Sequence, residues 1–235
     1  MSRPLIIAVD GPAAAGKGTI SRRIAEAFGL AHLDTGSLYR AVAARVLGEG
    51  RDPAQTEIAA AAAKALTVDD LARPNLRDET VGKYASVVAA LPAVRGALLA
   101  WQREFAHHPP KGKQGAVLDG RDIGTVVCPD ATVKLFVTAS VEERARRRIL
   151  ELRAKGEAAD AAKIEAEIRA RDERDMNRPE APLRPASDAH LLDTTELDID
   201  AAFAKAKGII AAQVGLRPAG GTPETKVPAA TPGKP

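Results

Sequence analysis

The sequence predicts an α/β fold, a five-stranded parallel sheet flanked by helices, and three observations carry that prediction. Five short, largely apolar runs, at about 5–9, 31–33, 116–118, 133–137 and 190–193, alternate with segments of helical period. The first run is apolar at every position, as a strand covered on both faces requires. The 235 residues are 45% hydrophobic but only 3% aromatic, so the core must be aliphatic and alanine-rich. A chain of this length buries one substantial core and often remains a single domain. In such sheets ligands bind at the carboxyl ends of the strands, which makes the segments just after the runs the places to look.

The first strand, about 5–9, leads into Gly-Pro-Ala-Ala-Ala-Gly-Lys-Gly-Thr at 11–19 and then into a helix to about 28, ended by Gly29. Strand, glycine loop and helix are the context of a phosphate-binding loop. Glycines let backbone N–H groups turn inward, the helix N-terminus adds partial positive charge, and Lys17 adds a full one. The bland alternative is a glycine turn with a solvated lysine. Full spacing, lysine, hydroxyl and flanking elements together favour phosphate over that alternative. Gly18 stands where the standard loop has Ser or Thr, and Thr19 follows.

The remaining elements follow from period and breakers. The short strand at 31–33 closes at Asp34-Thr35-Gly36, a helix covers 38–47, and Gly48 and Gly50 stop it. An alanine-dominated helix is predicted over 56–66. Residues 67–85 read as a loop-rich insert, because Val68-Asp69-Asp70 and Pro74-Asn75 break the period. Residues 86–105 read as helix, kinked or restarted at Pro92. Strands follow at 116–118 and 133–137. A charged helix starts near 141, Gly156 interrupts it, and helical pattern returns over 160–176. The fifth strand is 190–193 and the last helix 199–214. Residues 216–235 hold five prolines among small polar residues and cannot offset ordering entropy by burial, so the reading is one domain over 1–215 and a disordered tail.

Composition excludes several classes. Net charge is +3 and no block of like charge resembles a nucleic-acid arm or polybasic segment, so neither a nucleic acid nor a membrane is expected as partner. Cys128 is the only cysteine, which rules out an internal disulfide and disfavours a cysteine zinc site. Its apolar setting, Val126-Val127-Cys128-Pro129, reads as core. The four histidines show no metal-ligand spacing. Without a leader-like start or a bilayer-length apolar run, a cytoplasmic protein is expected.

Four charged segments sit where a parallel sheet places functional groups. Asp34-Thr35-Gly36-Ser37-Leu38-Tyr39-Arg40 follows the second strand, and Asp119-Gly120-Arg121-Asp122-Ile123-Gly124-Thr125 the third. Exposed, self-paired turns are their bland reading; position at strand ends favours a ligand role. The others are the cluster Arg144, Arg146, Arg147 and Arg148, and the run at 171–178, where Arg171, Asp175 and Arg178 share a helix face. From Arg144 to Arg178 there are 11 Lys or Arg against 8 Asp or Glu, which alone would suggest a solvated face. The choice of arginine over lysine at both ends argues for phosphate, which a planar guanidinium binds in pairs. The stretch between, with Gly156, reads as a mobile lid.

Together these segments make the chain, from about 5 to 192, resemble the bacterial cytidylate kinases, a family of P-loop nucleoside monophosphate kinases. The matching stretches are GPAAAGKGT at 11–19, DTGSLYR at 34–40, ASVVAALPAVR at 85–95, DGRDIGTVVCPDA at 119–131 and RDERDMNRPEAPLRPA at 171–186. A Gly-Lys-Gly-Thr ending is usual in that family, so Gly18 becomes a family mark. The resemblance implies a P-loop kinase fold with a nucleotide-monophosphate region over about 36–100 and a lid over about 149–170. The family's strand-rich insert is longer than 50–85 can accommodate, so a shortened insert is expected.

The implied reaction is γ-phosphoryl transfer from ATP, with Mg2+, to CMP or dCMP in pyrimidine nucleotide metabolism, by a monomer. Gly11, Pro12, Ala13, Ala14, Ala15, Gly16, Lys17, Gly18 and Thr19 would bind ATP. Thr19 and Asp119, the latter through water, would support the metal. Lys17, Arg147, Arg171 and Arg178 would carry catalysis as cations over the phosphates. By the same resemblance Ser86, Arg95 and Asp122 read the base, Thr35, Arg40 and Arg121 hold the acceptor phosphate, and Asp175 holds the ribose. Rival readings are other small-molecule P-loop kinases, a GTPase-type switch, whose Asn-Lys-x-Asp motif is absent, and a nucleic-acid ATPase, disfavoured by scarce aromatics.

Overall fold

β1 (Leu5–Asp10) lies at the centre of a parallel sheet, between β3 (Gly115–Gly120) and β4 (Val133–Thr138). The edges are β2 (Ala31–Asp34), beside β3, and β5 (His190–Asp193), beside β4, giving the order β2-β3-β1-β4-β5. This is a computed structural model that describes residues 3–67 and 69–215. The five predicted strands are all present and all parallel.

Alternation along the central strands builds two aliphatic layers. Ile6 and Ala8 join Leu33, Ala116 and Leu118 on one face. That face is covered by α2 (Thr35–Gly48), α3 (Thr56–Lys64), α4 (Glu79–Val88) and α5 (Pro92–His107). Ile7 and Val9 join Val117, Leu135 and Val137 on the other, under α1 (Lys17–Phe28) and α8 (Ile199–Gln213). Every residue of β3 is buried, as a central strand between two helical layers must be.

Local chemistry sets the boundaries. α1 ends because Gly29 takes the left-handed conformation (φ 66°) and Leu30 N–H bonds Ala25 C=O at 2.8 Å, closing a Schellman cap. α2 begins at Thr35, where the pattern predicted 38, because the strand-end turn is itself the first helical turn. Pro92 starts α5 at its first position, so the chain restarts there and turns by 97° between α4 and α5.

Residues 79–85, predicted as loop, are instead the start of α4. Gly82 and neighbouring β-branched residues weaken the local helical signal. Tertiary packing overrides it: a Cβ at Gly82 would lie 3.0 Å from the Arg40 guanidinium, so glycine lets α4 close onto α2. Upstream, two short 3₁₀ turns (Asp69–Ala72 and Pro74–Arg77) are clasped by buried Asp70. Its carboxylate accepts from Thr67 N–H (3.0 Å), Thr67 Oγ1 (3.1 Å), Arg45 (3.2 Å) and Arg73 Nε (2.9 Å).

α6 (Val141–Ala154) and α7 (Ala161–Asn177) form a hairpin around Gly156, which takes φ 76°. The pair rests on a small apolar cluster of Ala145, Ile164 and Ile168. Cys128 is buried and burial pushes its thiol pKa up to about 12, in keeping with a core role. Among the described residues no single helix is long and apolar enough to cross a membrane. The expected disordered stretch 216–235 lies outside the described residues.

Candidate active site

A cavity opens at the carboxyl ends of β1, β2 and β3, between α4 and α7. Its floor is the loop after β1. Gly11, at φ 148°, must be glycine, since a Cβ there would sit 1.9 Å from Val137 O. Ala14 (φ 59°) and Gly16 (φ 84°) are left-handed, so the loop winds tightly into α1. Ala13, Ala14, Lys17 and Gly18 line the cavity; Gly11, Pro12 and Ala15 are buried, and Gly16 is half-buried. Burial, and then the nearby Arg121, lower the Lys17 pKa to about 8. An ammonium held in such surroundings is stabilised by an anion.

Arginines surround the lysine. Arg40, Arg95, Arg121, Arg171 and Arg178 all line the same cavity. Arg121 Nε bonds Asp175 Oδ2 at 2.9 Å, and both side chains are largely buried. Arg171 Nε is buried with no hydrogen-bond partner among the described residues, and burial followed by repulsion from Arg121 lowers its pKa to about 10. Burial lowers the Arg40 and Arg178 pKa values too. Cations lacking enough carboxylates, one with an unused donor, describe a site built for phosphate oxygens.

The expected base-reading residues also converge. Asp122 pairs with Arg95 Nη2 and lies 3.4 Å from Arg178 Nη2. A single π-helical turn, Ile123–Val127, holds Asp122 in place. Buried Asp10 pins that turn, accepting from Ile123 N–H at 2.7 Å and Gly124 N–H at 2.8 Å. Burial outweighs those two bonds and raises the Asp10 pKa to about 6. Ser86 is buried on the cavity wall. Thr35 is buried too, its Oγ1 donating to Asp119 O at 2.8 Å.

Besides Gly11, Pro12, Ala15 and Gly16 of the loop, two expected residues, Thr19 and Arg147, stand apart from the cavity lining. Thr19 is exposed, its Oγ1 3.4 Å from Arg22 Nη2. Arg147 lies near the loop, where a Cβ at Gly16 would be 3.6 Å from its Nη1, and is bonded to Glu143 (2.8 Å), Thr194 Oγ1 (3.0 Å) and Thr194 O (2.6 Å). Asp119, by contrast, lines the cavity. Burial opposes its charge, but His32 at 3.0 Å and Lys17 hold its pKa below the usual carboxylate range.

Four participants carry no assigned role in the sequence reading. Tyr39 lines the cavity under Arg95, with ring centroid and guanidinium 5.9 Å apart. Arg174 reaches Ser86. Buried Arg144 bonds Asp172 with both terminal nitrogens (3.0 and 2.5 Å), Ala139 O (3.0 Å) and loop Ala13 O (3.3 Å). Asp10 is the fourth. Tyr39, Arg144 and Arg174 stand inside the segments singled out above, but nothing in sequence spacing tells which neighbour each touches.

The cytidylate kinase family model matches residues 7–211 of the chain. A cytidylate kinase from Granulibacter bethesdensis is 60% identical over 206 residues, 88% of this chain and 96% of that protein. One from Cereibacter sphaeroides is 64% identical over 200 residues, covering 85% and 92%. A solved structure of an uncharacterized protein from Eubacterium ventriosum matches with a TM-score of 0.52 at 12% identity, covering 88% of this chain and 98% of that one. At that identity the likeness concerns the fold alone.

Proposed function

The chain belongs to the cytidylate kinase family, and on that premise we propose how its cavity carries out ATP-dependent phosphorylation of CMP and dCMP. The observation that carries the reading is the convergence of Lys17 and Arg171, the latter with a buried unpartnered nitrogen, in one cavity with Asp122 and Ser86. In this reading, phosphate-binding and base-reading groups share one cavity. The protein is a phosphotransferase, acting in this reading as a cytoplasmic monomer on ATP and a cytidine monophosphate.

The acceptor needs no general base. A phosphate monoester has its second pKa at about 6, so at pH 7 the attacking oxygen is already mostly ionised. The obstacle is bringing two polyanions into line, and positioning with fixed positive charge overcomes it. Lys17 and the loop amides hold the ATP phosphates, Arg40 and Arg121 hold the acceptor phosphate beside Thr35, and Arg171 and Arg178 face the transferred group. Asp175, oriented by Arg121, takes the ribose. Arg147 is bonded to Thr194, whose Oγ1 bonds loop Ala15 O at 3.2 Å, and so steadies the loop from the side of Gly16.

The residues present fit Mg2+. That ion uses one or two carboxylates and completes its shell with water and substrate phosphates. Among the described residues no three metal-binding side chains cluster, as such a site requires none. A Cβ at Gly18 would lie 3.8 Å from Asp119 Oδ2, so glycine leaves room between the loop and an ionised carboxylate. Asp119 would support the ion through water, whereas Thr19, exposed and bonded by Arg22, is not placed to share that role. Mg2+ held there would supply charge neutralisation for the phosphates of ATP.

We assign the acceptor side to about 36–100 and the lid to about 149–170, whose closure excludes water that would otherwise waste ATP. A coupled assay of ADP release against CMP, dCMP, UMP and AMP tests the reading, with CMP and dCMP expected to be preferred. Asp122→Ala is expected to lose the preference for CMP over UMP. An unchanged ratio of kcat/KM would refute the assignment of Asp122 to the base.

A further inference from the structure

We propose that Arg174 sets the polarity of the Ser86 hydroxyl, and thereby makes it select an amino group over a carbonyl on the bound base. The inference rests on the reading of Ser86 as a base contact. Arg174 is on α7, three residues after Arg171 and four before Arg178, yet its side chain turns across to α4. Its Nη1 donates to Ser86 Oγ at 2.5 Å, joining residues 88 apart in sequence. Ser86 is buried on the cavity wall, and its Oγ also lies 2.9 Å from Lys83 O on its own helix.

Counting donors decides where the proton is. A hydroxyl has one proton and two lone pairs, while a guanidinium is a donor only. Arg174 therefore occupies one lone pair. A carbonyl is an acceptor only, so the Ser86 proton lies on the bond to Lys83 O. What remains for a ligand is one lone pair and no proton. Such a group accepts from the exocyclic amine of cytosine and repels the carbonyl oxygen that uracil carries there. Lys83 O holds the proton, and Arg174 holds Oγ in the side-chain rotamer from which that bond is made. Released from Arg174, Ser86 could take another rotamer and donate to uracil instead.

The arrangement also explains why an exposed arginine is aimed inward at a buried hydroxyl. Arg174 touches neither substrate in this scheme; it is a positioning residue. Its effect belongs to discrimination and not to the stability of the fold, since an exposed side chain supports little packing.

The test measures kcat/KM for CMP and UMP in the wild type, Arg174→Met, Ser86→Ala and the double variant, with thermal midpoints alongside. Arg174→Met should lower the CMP:UMP ratio by about fivefold, the worth of one net hydrogen bond, chiefly through KM and with the midpoint unchanged. The double variant should show the ratio of Ser86→Ala alone. Equal losses for both substrates in Arg174→Met, or a further drop in the double variant, would overturn the inference. If Ser86→Ala leaves the ratio unmoved, the base-contact reading itself fails and takes the inference with it. A shift in Ser86→Ala without one in Arg174→Met sinks the inference alone.

Discussion

Lys17 is charged at neutral pH but held in a setting that disfavours its charge, with its pKa lowered from 10.5 to about 8. In the unfolded chain it keeps its proton to higher pH. Between about pH 8 and 10.5 the unfolded state thus binds more protons, and this group makes the empty protein more stable as pH rises through that window. Phosphate binding reverses the shift. We expect ATP binding near pH 9 to take up protons, read by calorimetry in buffers of different ionisation enthalpy, and Lys17→Met to abolish the uptake. Arg171 shows the same tension. Removing its buried, unpartnered donor in Arg171→Met should cut kcat/KM by about a hundredfold or more, while the thermal midpoint stays level or rises. Lys17, Arg171 and Asp122 were legible in the sequence because each stands in a motif at a strand or helix end. Asp10 was not, because a carboxylate ending the first strand gives no sign of the distant turn it caps.

At the scale of elements, the segment between α3 and α4, which the proposed function assigns to the acceptor, is where charge substitutes for extended structure. The two 3₁₀ turns between α3 and α4 are held by a single carboxylate with donors from three residues. Asp70→Ala should therefore raise KM for CMP while leaving KM for ATP nearly unchanged, and should cost about 1–3 kcal/mol of stability. Parallel kinetics and urea denaturation check both. The strands and α1 were readable from apolar runs and Gly29, since these signals are local. The start of α4 was not, because its helix depends on Gly82 meeting Arg40, and the π-helical turn depends on Asp10. The period breaks at Asp69 and Pro74 were read correctly as breaks, but not as a clasp.

Across the whole molecule, Arg144 and Asp172 join the phosphate loop to both helices of the α6–α7 hairpin. Both are buried, so removing one partner strands the other charge. Arg144→Met is expected to cost about 3–5 kcal/mol, and adding Asp172→Leu to recover much of it, as measured by chemical denaturation. The layered architecture was legible in full, because alternation of strands and helices depends on period alone. How the hairpin is tied to the loop was not, because the ties run between residues 131 and 28 positions apart. The cavity carries six cations, Lys17 and five arginines, against the four carboxylates of Asp34, Asp119, Asp122 and Asp175. Any nucleotide that neutralises this excess binds the folded form alone, and so adds its binding free energy to the fold. Resistance to proteases should then track nucleotide supply: a chain emptied of substrate is cleaved sooner than one at work.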